Sequence, residues 1–367
     1  MLAILCGTSN AVLTGGYAAG LADAGCTILN LATGASPSPQ LISQAPRILE
    51  QAGNESLLVI DNIINDENLL DLDMPGVRRA IAAQYVLARD IAPTPVCFGL
   101  GARQYFPAGS AIERLHRALC AALDIPFISF REIMSACCPD PADHHLLFED
   151  GSHIRRELSR LIAEAGARYI LGNRRRQPEP FAPGRYDPAS SHALVESDGE
   201  RPILTTGLRT EQSHLCSQIT WTFAEPQRLF GLYIDRGQTT TIAEILVDGR
   251  RFYKSLLYTL GGRTQFMFVP FAAELDVARS VSIRAHRVPP AGESVERSIH
   301  ENADPAAATE RISVIDLVRL PSAYIARADR LLSAIDTDRT AGTRSTHILS
   351  ADLQASIADL VRKFRQR

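Results

Sequence analysis

The sequence has few of the features that mark disordered, fibrous or membrane-spanning chains. Only 24 of its 367 residues are glycine and 21 are proline, too few for a collagen-like or low-complexity chain. An apolar content of 46% excludes intrinsic disorder. No apolar run approaches the roughly 20 residues that a membrane-spanning helix needs. We therefore expect a soluble globular protein, and at this length two domains.

The chain also lacks a strong excess of either charge. Its formal net charge of −3 gives no electrostatic basis for binding nucleic acid or an anionic lipid surface. The triplet at residues 174–176, three arginines, is interpreted as part of a solvated linker. Neither nucleic acid nor a membrane is expected as a partner.

Cysteine is too sparse and unevenly placed for a disulfide framework. The seven cysteines are an odd number and lie mostly in apolar segments, whereas disulfide-rich domains are denser and paired. The first six residues are apolar but lack a basic segment and are too short for a signal peptide. These features predict a cytoplasmic protein with reduced thiols.

The pattern of hydrophobic residues divides the chain into two regions. Short runs that are apolar at almost every position, typical of strands in a parallel sheet covered on both faces, occupy residues 2–6, 27–31, 57–61, 96–100 and 127–130. Helical spacing of about 3.6 residues is present over 11–24, 40–51, 77–90, 110–123 and 154–165. This alternation predicts a flavodoxin-like, three-layer α/β/α domain over residues 1–175.

The rest of the chain has a different pattern. Three close prolines, Pro178, Pro180 and Pro183, predict a linker over 176–186. Strand-length runs follow at 217–223, 229–234, 242–247, 251–257, 264–269, 281–285 and 312–318, and Asp248-Gly249 is a hairpin-turn signal. We predict an all-β sandwich or jelly-roll domain over 187–325 and a helical tail over 326–367, ending in an amphipathic helix over 349–367.

Candidate catalytic groups follow the predicted strands. Ser9 comes directly after the first strand and at the start of a helix, where ligands bind in open α/β sheets and where backbone N–H groups favour an oxyanion. Asp150 and His153 are three residues apart at a loop–helix junction, so the carboxylate could orient the imidazole as a base for a serine. Taken alone, each feature is better explained without catalysis, Ser9 and Asp150 as helix-capping residues and His153 as an exposed first-turn residue.

Two further features follow strands. Asn65 could donate its amide to an oxyanion, and the backbone N–H of Gly34 could be a further donor. All four features fall at the same edge of the predicted sheet, which favours a single active site over four independent caps.

The order of these residues resembles the SGNH hydrolase superfamily, also called GDSL-like lipases and esterases. Gly7-Thr8-Ser9 matches the first block, Gly34 the second, Ile63-Ile64-Asn65-Asp66 the third and Asp150-Gly-Ser-His153 the last. The resemblance implies Ser9 as nucleophile, His153 as base and Asp150 as its partner. It also implies an oxyanion hole made by the N–H groups of Ser9 and Gly34 and the Asn65 amide. The chain departs from the family at Thr8, normally aspartate, and at Ile63, normally glycine.

The resemblance implies an acyl-serine enzyme that needs no cofactor or metal. We expect hydrolysis of O-acyl esters of a carbohydrate; the alternatives are transfer of an acetyl group from a donor to a sugar, and a polysaccharide-binding protein without catalysis.

A zinc site is disfavoured because adjacent residues cannot easily bind the same ion, although many candidate ligands lie in one stretch: Cys137, Cys138, His144, His145, Asp150 and His153. Aromatic residues of the second domain could stack on sugars but are expected in its core: Trp221, Tyr233, Tyr253 and Tyr258.

Overall fold

A computed structural model describes most of the chain. The described residues are 1–34, 36–70, 72–73, 76–173, 186–187, 193–259, 263–277, 279–298, 301–337 and 346–366. They fall into two compact units, one built from residues 1–72, 81–185 and 328–367 and the other from 73–80 and 186–327. The predicted linker at 176–186, with its prolines, and the arginine triplet lie almost entirely outside the described residues. The predicted domain bounds therefore stay predictions.

The first unit contains a five-stranded parallel sheet. Its order is β2-β1-β3-β4-β5, the flavodoxin-like order, with the strands β1 (Leu2–Gly7), β2 (Thr27–Asn30), β3 (Leu57–Asp61), β4 (Thr94–Gly99) and β5 (Phe127–Ser129). All five strands coincide with apolar runs in the sequence because both faces of the sheet are covered. The predicted three-layer α/β fold is confirmed.

Helices cover each face of this sheet. They are α1 (Ser9–Val12), α2 (Tyr17–Asp23), α3 (Gln40–Gln51), α4 (Ile63–Leu69), α5 (Val77–Ile91), α6 (Ala111–Ala122), α7 (Phe130–Cys137) and α8 (Arg156–Asn173). Alternate strand residues such as Leu5 and Val59 share one core with α2, α7 and α8. On the other face, Tyr85 of α5 bonds to Cys97 of β4 at 3.1 Å.

Two details of the sequence-based expectation are wrong. The single helix predicted over 11–24 is two helices, α1 and α2, separated at Gly15, whose φ of +78° is readily adopted only by glycine. Asn65 was expected at the carboxyl end of the third strand, but β3 ends at Asp61 and the short helix α4 follows. Asn65 is therefore presented from a helix rather than from the end of the strand.

The C-terminal segment contains α9 (Ser322–Thr337) and α10 (Ala351–Arg365). The apolar face of α10 joins the core of the first unit through Leu353, Ile357, Val361 and Phe364. Arg365 also pairs with Asp143, with Nε 2.8 Å from Oδ1. The last helix of the chain thus completes the packing of the first unit.

The second unit is β-rich, as predicted. Its strands are β6 (Ala193–Ser197), β7 (Ile203–Thr205), β8 (Thr210–Gln212), β9 (His214–Cys216), β10 (Gln218–Phe223), β11 (Gln227–Asp235), β12 (Thr240–Val247), β13 (Arg250–Leu257), β14 (Phe266–Val277), β15 (Ser280–His286), β16 (Val295–Glu296) and β17 (Ile312–Pro321). They form a six-stranded sheet, β16-β13-β12-β15-β10-β6, a four-stranded sheet, β14-β11-β17-β9, and a β7-β8 hairpin.

The two larger sheets of this unit share one hydrophobic core. Ile219 and Ile245 of the six-stranded sheet belong to the same cluster as Leu232 and Ile234 of the four-stranded sheet. The aromatic residues considered as sugar platforms are buried: Trp221, Tyr233, Tyr253 and Tyr258. The expectation that they are core residues is confirmed.

The predicted hairpin turn is also present. Asp248 and Gly249 connect β12 and β13, with φ of +46° and +80°. Both values are positive, as a two-residue hairpin turn requires.

No helix within the described ranges is long and apolar enough to cross a lipid bilayer.

Candidate active site

The turn that carries Ser9 follows directly from β1. Thr8 caps the N-terminus of α1, and its Oγ1 accepts a hydrogen bond from the backbone N–H of Asn10 at 3.3 Å. Gly7 permits a close approach to the neighbouring strand, because a Cβ there would lie 2.9 Å from the Cβ of Asp61. This local geometry presents the Ser9 hydroxyl at the carboxyl edge of the sheet, at the first residue of α1.

Ser9, His153 and Asp150 lie together in a hydrogen-bonded chain. The Oγ of Ser9 is 2.8 Å from Nε2 of His153, although 144 positions separate them in the sequence. The Nδ1 of the same imidazole is 2.7 Å from Oδ2 of Asp150. The two imidazole nitrogens therefore contact the hydroxyl on one side and the carboxylate on the other.

A tight turn fixes the orientation of His153. The N–H of Glu149 donates to the carbonyl of His153 at 2.8 Å, and Oδ1 of Asp150 accepts the N–H groups of Ser152 and His153 at 2.7 and 2.9 Å. Partial burial acts to raise the pKa of Asp150, but hydrogen bonds from the His153 side chain and these N–H groups outweigh it and hold the pKa below its ordinary value. Asp150 is thus favoured as a carboxylate although its side chain is 56% exposed.

Gly34 and Asn65 lie on the elements expected to surround the serine. A Cβ built on Gly34 would be 3.9 Å from the Cβ of Ser9, so the backbone at position 34 passes beside the hydroxyl-bearing residue. Asn65 is buried in α4, and its Nδ2 donates to the carbonyl of Ser36 at 2.8 Å. A carboxamide carries two N–H groups, so this contact leaves one further donor on Asn65.

The residues that follow Asn65 were not assigned a role from the sequence. Asp66 accepts the backbone N–H of Ser38 at 2.7 Å, and Glu67 accepts the N–H of Ala102 at 2.6 Å. Burial raises the pKa of Glu67 to about 7, although hydrogen bonds from Ala102 and Ser110 act in the opposite direction. The available signal was the run of four polar residues at 65–68, soon after a buried strand; any of these side chains that are buried must be hydrogen-bonded.

Glu67 connects α4 to the turn that carries the histidine. The N–H of Arg103, the residue after Ala102, donates to the carbonyl of Gly151 at 3.0 Å. The loop that follows β4 is therefore held by Glu67 on one side and itself supports the 150–153 turn on the other. Ile63, at the position where the family has glycine, is fully buried.

The histidines and cysteines that suggested a rival metal site have other contacts. His144 Nε2 lies 3.2 Å from the carbonyl of Cys138, and His145 Nδ1 lies 2.7 Å from the carbonyl of Ala142. Throughout the part of the chain that the structure describes, no three His, Cys, Asp or Glu side chains are grouped so that they could hold a metal ion.

Comparison with solved structures finds similarity to a two-domain protein. The crystal structure of a two-domain esterase (CEX) active on acetylated mannans matches with a TM-score of 0.54 and 11% identity, covering 86% of this chain and 90% of that one. The same esterase co-crystallised with mannopentaose matches with a TM-score of 0.52 and 11% identity, over 86% and 88% of the two chains. The chain has an SGNH hydrolase fold joined to a β-rich second domain.

Other solved structures match only part of the chain. An acetyl xylan esterase is 14% identical and matches 47% of this chain and 96% of its own, with a TM-score of 0.36. No protein-family model and no curated protein sequence matches this chain.

Proposed function

We propose that this protein is a serine ester hydrolase that works through an acyl-serine intermediate. The observation that carries the proposal is the continuous contact from Ser9 Oγ through the two nitrogens of His153 to Asp150. A hydroxyl, an imidazole and a carboxylate in this order form the arrangement that activates serine in unrelated hydrolases. The SGNH fold supports the assignment.

In the first half of the reaction, Ser9 Oγ attacks the ester carbonyl carbon while Nε2 of His153 takes the hydroxyl proton. The carboxylate of Asp150 accepts a hydrogen bond from the Nδ1–H of the imidazolium and stabilises its positive charge without taking the proton. The negative oxygen of the tetrahedral intermediate accepts hydrogen bonds from the N–H groups of Ser9 and Gly34 and from the Asn65 amide. The carbon–oxygen bond to the alcohol then breaks, and His153 gives its proton to the leaving alcohol.

The second half releases the acid. A water molecule attacks the acyl-serine carbonyl carbon and loses a proton to Nε2 of His153. The same donors stabilise the second oxyanion. When this intermediate collapses, Ser9 Oγ leaves and regains its proton from His153, so the enzyme returns to its starting state.

We propose O-acetyl groups on a carbohydrate as the substrate class. Support comes from the esterase active on acetylated mannans, because its likeness extends over 86% of this chain and thus includes both the α/β fold and the β-rich unit. An ordinary single-domain esterase would not account for the second unit.

A serine-directed fluorophosphonate probe tests the catalytic part of the proposal. We expect covalent labelling of the wild-type protein at Ser9, and loss of labelling in Ser9→Ala and His153→Ala. His145→Ala is the matched control, because His145 is exposed and contacts a backbone carbonyl outside the Ser9–His153–Asp150 chain. Absence of labelling in a folded wild-type protein would favour a polysaccharide-binding role without catalysis.

Acetate release tests the substrate class. We expect faster release from acetylated mannan or xylan oligosaccharides than from esters of long-chain acids, and complete dependence on Ser9. Addition of an unacetylated oligosaccharide separates hydrolysis from transfer. If acetyl groups appear on the added glycan at the expense of free acetate, the protein is an O-acetyltransferase that uses the same residues.

A further inference from the structure

The loop between β2 and α3, described at residues 31–34 and 36–39, carries Gly34 and is tied to two adjacent residues of α4. Asn65 donates to the carbonyl of Ser36 at 2.8 Å. Asp66 accepts the backbone N–H of Ser38 at 2.7 Å and also its hydroxyl. These contacts are buried, so they are shielded from competition with water. Gln84 also donates to the Ser38 hydroxyl, at 2.8 Å, but the Ser38 backbone N–H is held by Asp66, so the backbone at position 38 follows the Asp66 carboxylate.

His116 holds that carboxylate from a different helix. Its Nε2 is 2.8 Å from Oδ2 of Asp66, and its Nδ1 is 2.6 Å from the hydroxyl of Tyr85. Asp66, Tyr85 and His116 are all fully buried. The network thus extends from the loop through α4 to α6 and α5.

The electrostatic surroundings of His116 favour a charged or strongly polarised hydrogen bond between His116 and Asp66. Burial lowers the pKa of a histidine, but the hydrogen bonds and charges of Asp66 and Cys97 raise that of His116 to about 9. A buried carboxylate without its partner is costly, because neither water nor another charge compensates it. Loss of the imidazole would therefore leave Asp66 free to move toward other donors, and Ser38 would follow.

We propose that His116 is a positioning residue that, through Asp66, holds the Gly34 loop in the geometry needed for the oxyanion hole. The inference rests on the proposed esterase function for its catalytic consequence. The hydrogen bonds of His116 are to Asp66 and Tyr85, and it reaches the loop indirectly, through Asp66 and Ser38. Its effect should therefore be on the rate of the chemical step rather than on substrate binding.

The test compares two substitutions at this position. In His116→Phe the ring is kept but the donor to Asp66 is lost, and we expect kcat to fall roughly 10- to 100-fold with KM changed by less than about 3-fold. In His116→Gln the amide nitrogen replaces Nε2 as donor, and kcat should recover to within about 5-fold of wild type. Ser129→Ala is the control, because it removes a buried hydroxyl that caps α7 and leaves the loop untouched.

A double-mutant cycle separates positioning from general destabilisation. If His116 acts through Asp66, its loss should cost little further kcat once Asp66 is alanine, because the contact with Ser38 is already lost. A structural effect of His116 that is independent of Asp66 would give the full additional loss in the Asp66→Ala background. Full additivity would contradict the proposal.

Hydrogen exchange provides a readout that does not require activity. We expect the Ser38 amide to exchange faster in His116→Phe than in wild type, and at the wild-type rate in Ser129→Ala. If the wild-type protein hydrolyses no ester, the proposed function fails but this measurement still decides whether His116 holds the loop. Unchanged Ser38 exchange in His116→Phe would overturn the positioning role. If His116→Phe does not fold, a fall in kcat of His116→Gln with unchanged Ser38 exchange would overturn it.

Discussion

Thr8 donates a hydrogen bond of 2.9 Å from its hydroxyl to Oδ2 of Asp61, across the carboxyl ends of β1 and β3. Both side chains are fully buried. Thr8 stands where the SGNH family normally has aspartate, and its hydroxyl contacts an acidic side chain of the neighbouring strand. The turn that bears Ser9 is thus anchored to β3.

Asp61→Asn should remove a pH dependence from the stability of the first unit. Burial raises the pKa of Asp61 to about 8, although the hydrogen bonds from Thr8 act in the opposite direction. The folded state therefore holds a proton that the unfolded state releases between about pH 4 and pH 8. Stability falls as pH rises through this window, with a slope of at most about 1.4 kcal/mol per pH unit from this group.

Denaturant unfolding at pH 5 and pH 8 checks this expectation. The variant should gain stability relative to wild type at pH 8 and gain less at pH 5. Asp23→Asn is the control, because Asp23 pairs with Arg160 at the surface and its pKa is lowered, so its proton is lost below this window in both states. Equal pH slopes in wild type and Asp61→Asn would show that Asp61 is ionised in the folded protein.

The sheet of the first unit could be predicted from the sequence because strands that are buried on both faces are apolar at almost every position. β3 was predicted with its observed bounds, and α3 likewise, since helical spacing and strand runs are local signals. The residues that converge at its edge, Ser9, Asp150 and His153, could be proposed because parallel strands end at the same edge.

The supporting contacts could not be predicted in the same way. The helix α4 has seven residues, too short for periodicity to distinguish it from a loop. The contacts of Asp66 with Ser38 and His116 join residues 28 and 50 positions apart, and no spacing rule connects them. Such pairs depend on the packing of α4 against α6, which is a tertiary property.

Asp150→Asn should reduce turnover strongly while preserving the turn. The amide oxygen can still accept the N–H groups of Ser152 and His153, but the NH₂ group cannot accept from Nδ1 and so favours the wrong imidazole tautomer. We expect kcat to fall by about 10³- to 10⁴-fold, as such a substitution does in other triads. Steady-state kinetics and thermal unfolding together check this, and a loss below about 10-fold would contradict the assigned role of Asp150.

Asn65→Ala should lower kcat by about 10²- to 10³-fold, because it removes a donor proposed for the oxyanion. The same change removes the 2.8 Å hydrogen bond from Asn65 to the carbonyl of Ser36, so a loss of stability of about 0.5–1.5 kcal/mol is expected as well. The two effects are separable by measuring kcat well below the unfolding temperature. A variant that keeps wild-type kcat would exclude Asn65 from the oxyanion hole.

Gly34→Ala tests the space beside the serine without disturbing the fold. Among the residues that the structure describes, the added Cβ would come within 4 Å of the Cβ of Ser9 alone, at 3.9 Å, which is an ordinary van der Waals distance. The backbone at this position does not require positive φ, so we expect thermal stability close to that of wild type. The methyl group nevertheless occupies space beside the nucleophile that a substrate carbonyl needs, so kcat/KM should fall by roughly 10-fold or more.

Gly53→Ala is the matched control for this substitution, because a Cβ at position 53 meets no atom within 4 Å. Both variants should therefore unfold near the wild-type temperature, whereas only Gly34→Ala should lose activity and react slowly with a fluorophosphonate. The probe's phosphoryl oxygen needs the same donors as an ester oxyanion, so slow labelling would place the defect at the oxyanion hole rather than in carbohydrate recognition. Wild-type labelling and turnover in Gly34→Ala would mean that the reacting carbonyl does not approach Ser9 from this side, and the assignment of Gly34 would be wrong.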